Sequence, residues 1–183
     1  FTTLTVGQYK QPNSLEELSS TKDNDFISKS MTTNLQGVAR RVGVALTTGS
    51  DNWTLTGSIF NRELTRNLAD GGGYGIRGTF APINEAGNFL HLGLSLVDYD
   101  ANDAGSAAGA TPAFNGGDRA RLRVRPDADL SGARLVDSGQ FTNADRIKTI
   151  GAEGAWIHGP LKFQGEYMTT TVSREQNVAD YEF

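Results

Sequence analysis

Apolar residues recur at every second position through most of this chain, and that period dictates extended strands with two unlike faces. Trp53, Leu55, Gly57 and Ile59 alternate with Thr54, Thr56 and Ser58. Leu90, Leu92, Leu94 and Leu96 share one parity, and His91, Gly93 and Ser95 take the other. Ala120, Leu122 and Val124 alternate with Arg119, Arg121, Arg123 and Arg125, and Leu161, Phe163 and Tyr167 oppose Lys162, Gln164 and Glu166. No amphipathic helix of useful length competes with this pattern. Only Leu15–Leu18, behind Ser14 as an N-cap, reads as a single helical turn.

The pattern divides into about nine strands: 2–10, 38–48, 53–62, 74–81, 88–98, 118–126, 130–137, 146–157 and 161–173. Long and short connections take turns between them. Residues 11–37, 63–73 and 99–117 are long, whereas 49–52, 82–87, 127–129 and 158–160 are short, and 138–145 is intermediate. In an up-and-down sheet, that order gathers the long loops at one end and the tight turns at the other. A membrane-spanning barrel segregates its loops in this way, whereas soluble sandwiches rarely do. The longest apolar run is far short of the ~20 residues of a spanning helix, which a strand-built wall does not need. Phe1 opens directly into a strand-like stretch, with no charged segment and apolar core before it. Aromatics are expected to form two interfacial belts. Trp53, Phe80, Phe89 and Trp156 stand next to short turns, and Tyr74 and Tyr99 next to long loops. The 27 residues of 11–37 are too many for an idle connection. A barrel can fold such a loop inward to narrow its lumen.

Charge placement is the second constraint. The chain carries 17 basic and 21 acidic residues, a net charge of −4, so a basic nucleic-acid-binding surface is not expected. The basic set is 12 Arg and 5 Lys, and there is no Cys for disulfides or thiolate metal sites. Arg119, Arg121, Arg123 and Arg125 leave one face of an extended segment about 6.6 Å apart, a row of roughly 20 Å. Each neighbouring pair repels by about 0.6 kcal/mol in water, so a chain selected only for stability would interleave carboxylates. Here only Glu153 and Glu166 lie well inside the expected strands. Arg41, Arg77, Arg121, Arg123, Arg134, Lys148 and Lys162 do so among the basic residues. An acidic chain enclosing a basic interior attracts anions, and guanidinium forks suit phosphate oxygens. With Val42, Val44 and Leu46 facing out, Arg41 faces in, and Arg40 needs a bulge to join it. Lys10, Lys22 and Lys29 add to a constriction if 11–37 folds inward.

Catalytic signals are thin. His91 and His158 lack metal-ligand spacing, no nucleophile elbow is present, and Gly71-Gly72-Gly73 is not followed by Lys-Ser/Thr. No enzyme and no cofactor are expected. A structural or adhesive barrel with a plugged lumen shares the strand pattern, but it calls for inward carboxylates beside the arginines.

Several segments carry a family resemblance. They are Gly7-Gln8-Tyr9-Lys10-Gln11-Pro12, Ser14-Leu15-Glu16-Glu17-Leu18-Ser19-Ser20-Thr21-Lys22, Asp51-Asn52-Trp53-Thr54-Leu55, Arg121-Leu122-Arg123-Val124-Arg125-Pro126, and residues 156–167 with their Gly159-Pro160 turn. Together they resemble the phosphate-selective porin O/P family. The resemblance implies homotrimeric, sixteen-stranded antiparallel β-barrels. These stand in the outer-membrane lipid of a Gram-negative bacterium and pass phosphate, pyrophosphate or polyphosphate by diffusion. It implies an arginine ladder at Arg119, Arg121, Arg123 and Arg125. The constriction candidates are Arg40 and Arg41, then Lys10, Lys22 and Lys29, with Arg77 and Lys162 lining the lumen. Nine strands are about half of such a barrel, so residues 1–183 are read as one partial barrel domain.

Overall fold

The computed structural model describes residues 1–36, 38–64, 71–101, 119–120, 122–126, 132–139, 141–142, 144–174 and 179–183. The expected connections 63–73 and 99–117 fall largely outside this set. The described residues form an all-β structure dominated by one antiparallel sheet. Its strands are β1 (Thr2–Lys10), β2 (Arg40–Gly49), β3 (Trp53–Phe60), β4 (Gly73–Glu85), β5 (Asn88–Asp100), β10 (Ala144–His158), β11 (Leu161–Arg174) and the two-residue β12 (Tyr181–Glu182). They pair in that spatial order, and the sheet is open, with β1 and β12 at its edges. Four two-residue strands stand apart as two small ladders. Of these, β6 (Arg119–Ala120) pairs with β9 (Phe141–Thr142), and β7 (Arg123–Val124) pairs with β8 (Val136–Asp137).

Alternation sets the two faces. Leu94 is 67% exposed and its neighbour Ser95 is 7% exposed. Leu4, Val6, Val44, Leu46, Leu55, Ile59, Ile76, Leu92, Leu94 and Ile150 share the outer parity and are all exposed. Water would penalise such a face, and hydrocarbon would not. On the inner parity, hydroxyls meet across strands: Thr47 with Thr56 at 3.0 Å, Thr54 with Thr79 at 2.6 Å and Thr149 with Thr170 at 2.9 Å. The short turns behave as their sequences demand. Gly159 takes φ 56° beside Pro160, a left-handed conformation open to glycine, and β10 runs straight back into β11.

The described residues of the expected strands 118–126 and 130–137 do not enter this sheet. Instead β5 pairs directly with β10, from Asp100 opposite Arg146 to Asn88 opposite His158. The reason lies on the inner face near the long connections, which is apolar: Ala101, Ala144, Ile147 and Val172 are buried there. Leu122 joins that cluster and Val124 is buried too, so this segment uses its apolar side to cover the wall. Pro126, which lacks a ladder donor, ends the extended run. The backing of the arginine row is therefore protein rather than hydrocarbon. One consequence sharpens the loop asymmetry. The connection from β5 to β10 becomes a single long excursion, on the same end as 11–37 and 61–72.

The aromatic belts are corrected in part. Trp53 faces Phe80 across β3 and β4, and Trp156 stacks on Phe163 at 5.7 Å, all exposed on the outer face beside short turns. Tyr74 is exposed on the outer face at the other end. Phe89 and Tyr99, by contrast, have inner parity. Tyr99 packs 6.4 Å from Phe60, beside the buried Val38 and Val97.

Candidate functional site: the inner face and its cations

Residues 11–36 fold back over the inner face. Gln11, fully buried, accepts a hydrogen bond from the Ser58 hydroxyl on β3 at 3.1 Å. Ser14 caps α1 (Leu15–Leu18), its hydroxyl accepting from the Glu17 N–H at 3.0 Å, as its place before the turn requires. A 3₁₀ turn (Thr21–Asp23) and α2 (Met31–Gln36) follow. The far side of the loop reaches β11. The Glu16 N–H donates to Glu166 at 2.7 Å, and Lys162 Nζ meets Asp25 Oδ2 at 2.6 Å. Inside the loop, Glu16 Oε2 accepts from the Ser30 N–H at 2.8 Å and from the Thr33 hydroxyl at 2.9 Å. Burial pushes the Glu16 carboxyl up, but the bonds from Ser30 and Thr33 and the Lys29 charge outweigh it and hold it below the ordinary glutamate range.

The predicted constriction residues separate. Arg41 lies on the inner face as expected, 7% exposed, with its guanidinium 5.7 Å from the centre of the Tyr99 ring. Arg40 is paired with Lys10 in a ladder free of bulges; it has the outer parity and is exposed, so it does not join Arg41. Lys10 and Lys29 are brought together by Glu17. Lys10 donates to the Glu17 carbonyl and lies 3.6 Å from its carboxylate, and Lys29 Nζ is 2.5 Å from the other carboxylate oxygen. Lys22 is exposed in the 3₁₀ turn. Lys148, expected inside, is exposed on the outer parity of β10.

Both expected wall cations meet carboxylates. Lys162 has Asp25, and Arg77 on β4 has Glu153 on β10. The Arg77 Nε donates to Glu153 Oε2 at 3.2 Å and its Nη2 donates to Oε1, while His91 Nε2 on β5 lies 2.7 Å from Oε1. Glu153 crosses β5 directly over Gly93, its ladder partner; a Cβ at that position would stand 2.5 Å from Glu153 Oε1. No charge-count or spacing signal pairs these residues, since they are 76 positions apart. Only the register brings them level.

The arginine row behaves differently. Arg121 lies outside the described residues, and Arg119 is described by its backbone in β6, opposite Thr142. Arg123 is exposed and stands across from Asp137 in the small ladder. Among the described residues, Arg123, Arg125 and Arg134 line one cleft of about 370 Å³ with Val124 and with Asn34 from α2. Sequence reasoning placed Arg134 on a strand but missed its partnership with Arg125. The return of the chain after Pro126 was the only available signal.

An up-and-down antiparallel sheet with an apolar outer face, aromatics at its short-turn rim and a cation-bearing loop folded over its inner face defines a β-barrel wall. The chain belongs to the phosphate-selective porin O and P family, whose pattern matches residues 2–183. A curated relative, Porin O of Pseudomonas aeruginosa, is 30% identical over 116 residues, which make up 57% of this chain and 25% of that protein. The matched stretch thus spans about a quarter of the relative's length.

Proposed function

We propose that this chain builds part of a passive, anion-selective porin in the outer membrane of a Gram-negative bacterium. The ion passed is phosphate or one of its condensed forms, pyrophosphate or polyphosphate. The observation that carries this reading is the gathering of Arg123, Arg125 and Arg134 around one cleft, with Asn34 at its side. Several guanidinium groups around one space outcompete water for a phosphate, because each offers charge-assisted, fork-shaped donation. Arg119 and Arg121 extend the row by spacing alone, so an ion can pass along successive sites rather than rest in one. The apolar backs of Leu122 and Val124, fixed on the inner wall, turn the arginines away from it and toward the enclosed space. The loop over 11–37, tied to β3 and β11, narrows the path, and Arg41 stands at its base. The exposed apolar outer face supports contact with membrane lipid, and the family supports a sixteen-stranded homotrimer with a channel role rather than an enzymatic one.

The decisive experiment is reversal potential across a salt gradient in planar bilayers, with the porin that carries this chain. Anion preference is expected, and cation preference would sink the proposal. Arg121→Ala and Arg123→Ala are expected to weaken phosphate block of the chloride current; unchanged block removes the row from the path.

A second reading, a structural or adhesive barrel with a plugged lumen, draws on the carboxylates that meet Arg77, Lys162, Lys10 and Lys29. It predicts no single-channel conductance.

A further inference from the structure

The inner-face cluster of Arg77, Glu153 and His91 was given no part in the path described above, yet it joins three side chains from three neighbouring strands. Glu153 is 8% exposed at mid-strand in β10, and both of its oxygens are taken. Its side chain lies flat across β5 because Gly93 leaves room, and so reaches a guanidinium on β4. An ionised carboxylate only accepts, so His91 donates through its Nε2–H tautomer to the same Oε1 that Arg77 Nη2 occupies.

We infer that Glu153 is a selectivity-setting residue of the proposed anion path. It cancels the charge of Arg77 and keeps anions from stopping there. The inference depends on the channel reading. Three features support it over a plain structural tie. A fold needing only a fastening between β4, β5 and β10 already has the backbone ladders of those strands. A buried ion pair is weak evidence of added stability, because desolvation consumes most of its attraction. And a cation on an anion path traps ions unless its field is reduced, since conduction requires sites weak enough to leave.

The test uses the intact porin in planar bilayers, with heat-modifiable gel migration to verify folding. Glu153→Gln releases Arg77 and is expected to raise the anion-over-cation permeability ratio about threefold. That is the factor one unit charge about 6 Å from a passing ion supplies in water. Arg77→Gln leaves Glu153 in excess and is expected to lower the ratio by a similar factor. The double variant is expected to return to the parent value. A folded Glu153→Gln protein with an unchanged ratio would reduce Glu153 to a brace. If Glu153→Gln does not fold, Arg77→Gln decides alone, and an unchanged ratio overturns the inference. A parent protein without conductance would instead defeat the channel reading itself.

Discussion

Two sets of cations stand along the wall with its folded-back loop and on the excursion between β5 and β10, and they are held differently. On or near the wall strands, Arg77 meets Glu153, Lys162 meets Asp25, and Lys10 and Lys29 meet Glu17, while Arg41 lies against the Tyr99 ring. Arg123, Arg125 and Arg134, on the excursion between β5 and β10, are gathered around one cleft, with Arg123 opposite Asp137 in its small ladder. Like charges are tolerable on a segment whose apolar side is fastened by Leu122 and Val124, since that burial offsets the repulsion. On the wall, a half-buried cation without a partner would cost far more. The comparison teaches how differently the two sets are held: some cations meet carboxylates across strands and loop, and others stand side by side.

This contrast can be broken at several points. The largest effect is expected from Arg77→Ala, which strands Glu153 as an uncompensated buried charge. A loss of about 3 kcal/mol follows, measured as a shift in the urea midpoint of the folded barrel. If the midpoint stays put, Glu153 is not left as an uncompensated buried charge. Next comes the cleft. Replacing Arg125 and Arg134 together by Ala is expected to weaken phosphate block of chloride current about tenfold, or about 1.4 kcal/mol, with little change in stability. A barrel that unfolds more easily while block persists would invert the comparison.

A smaller effect concerns the loop. Glu16 has a depressed carboxyl pKa in the folded protein, so its contribution is complete above the ordinary glutamate value of about 4.3. That contribution is lost as pH falls through the depressed value. Amide exchange at Ser30, corrected for its intrinsic rate, is expected to quicken only in that acid range. Glu16→Gln should weaken protection by about 1 kcal/mol at neutral pH. The smallest effect is Lys162→Ala. Its partner Asp25 is exposed, and the pair is screened by solvent, so less than about 0.5 kcal/mol is expected in the same urea titration.

Strand existence was legible because alternation is a local property. Each of β1 to β5, β10 and β11 coincides with an alternating run to within a few residues, and Ser14 before Leu15–Leu18 announced its cap. The inward parity of Arg41 followed from Val42, Val44 and Leu46. The same local rule misled at 118–137. Arg119 to Arg125 alternate as well as any wall strand, but alternation does not say which surface receives the apolar side. Nor could it separate Tyr99 and Phe89 from the outer belt, or tell that Arg40 stays outside.

The amino-acid order alone determined the two-faced strands, the turn positions and the basic bias of the excursion. These need only side-chain period, glycine and proline chemistry and charge, all read within a few residues. Partnership was decided by the tertiary structure. Whether a wall arginine meets a carboxylate depends on register across strands up to 76 positions apart. It depends equally on which apolar surface was left uncovered, and neither is a property of any local window.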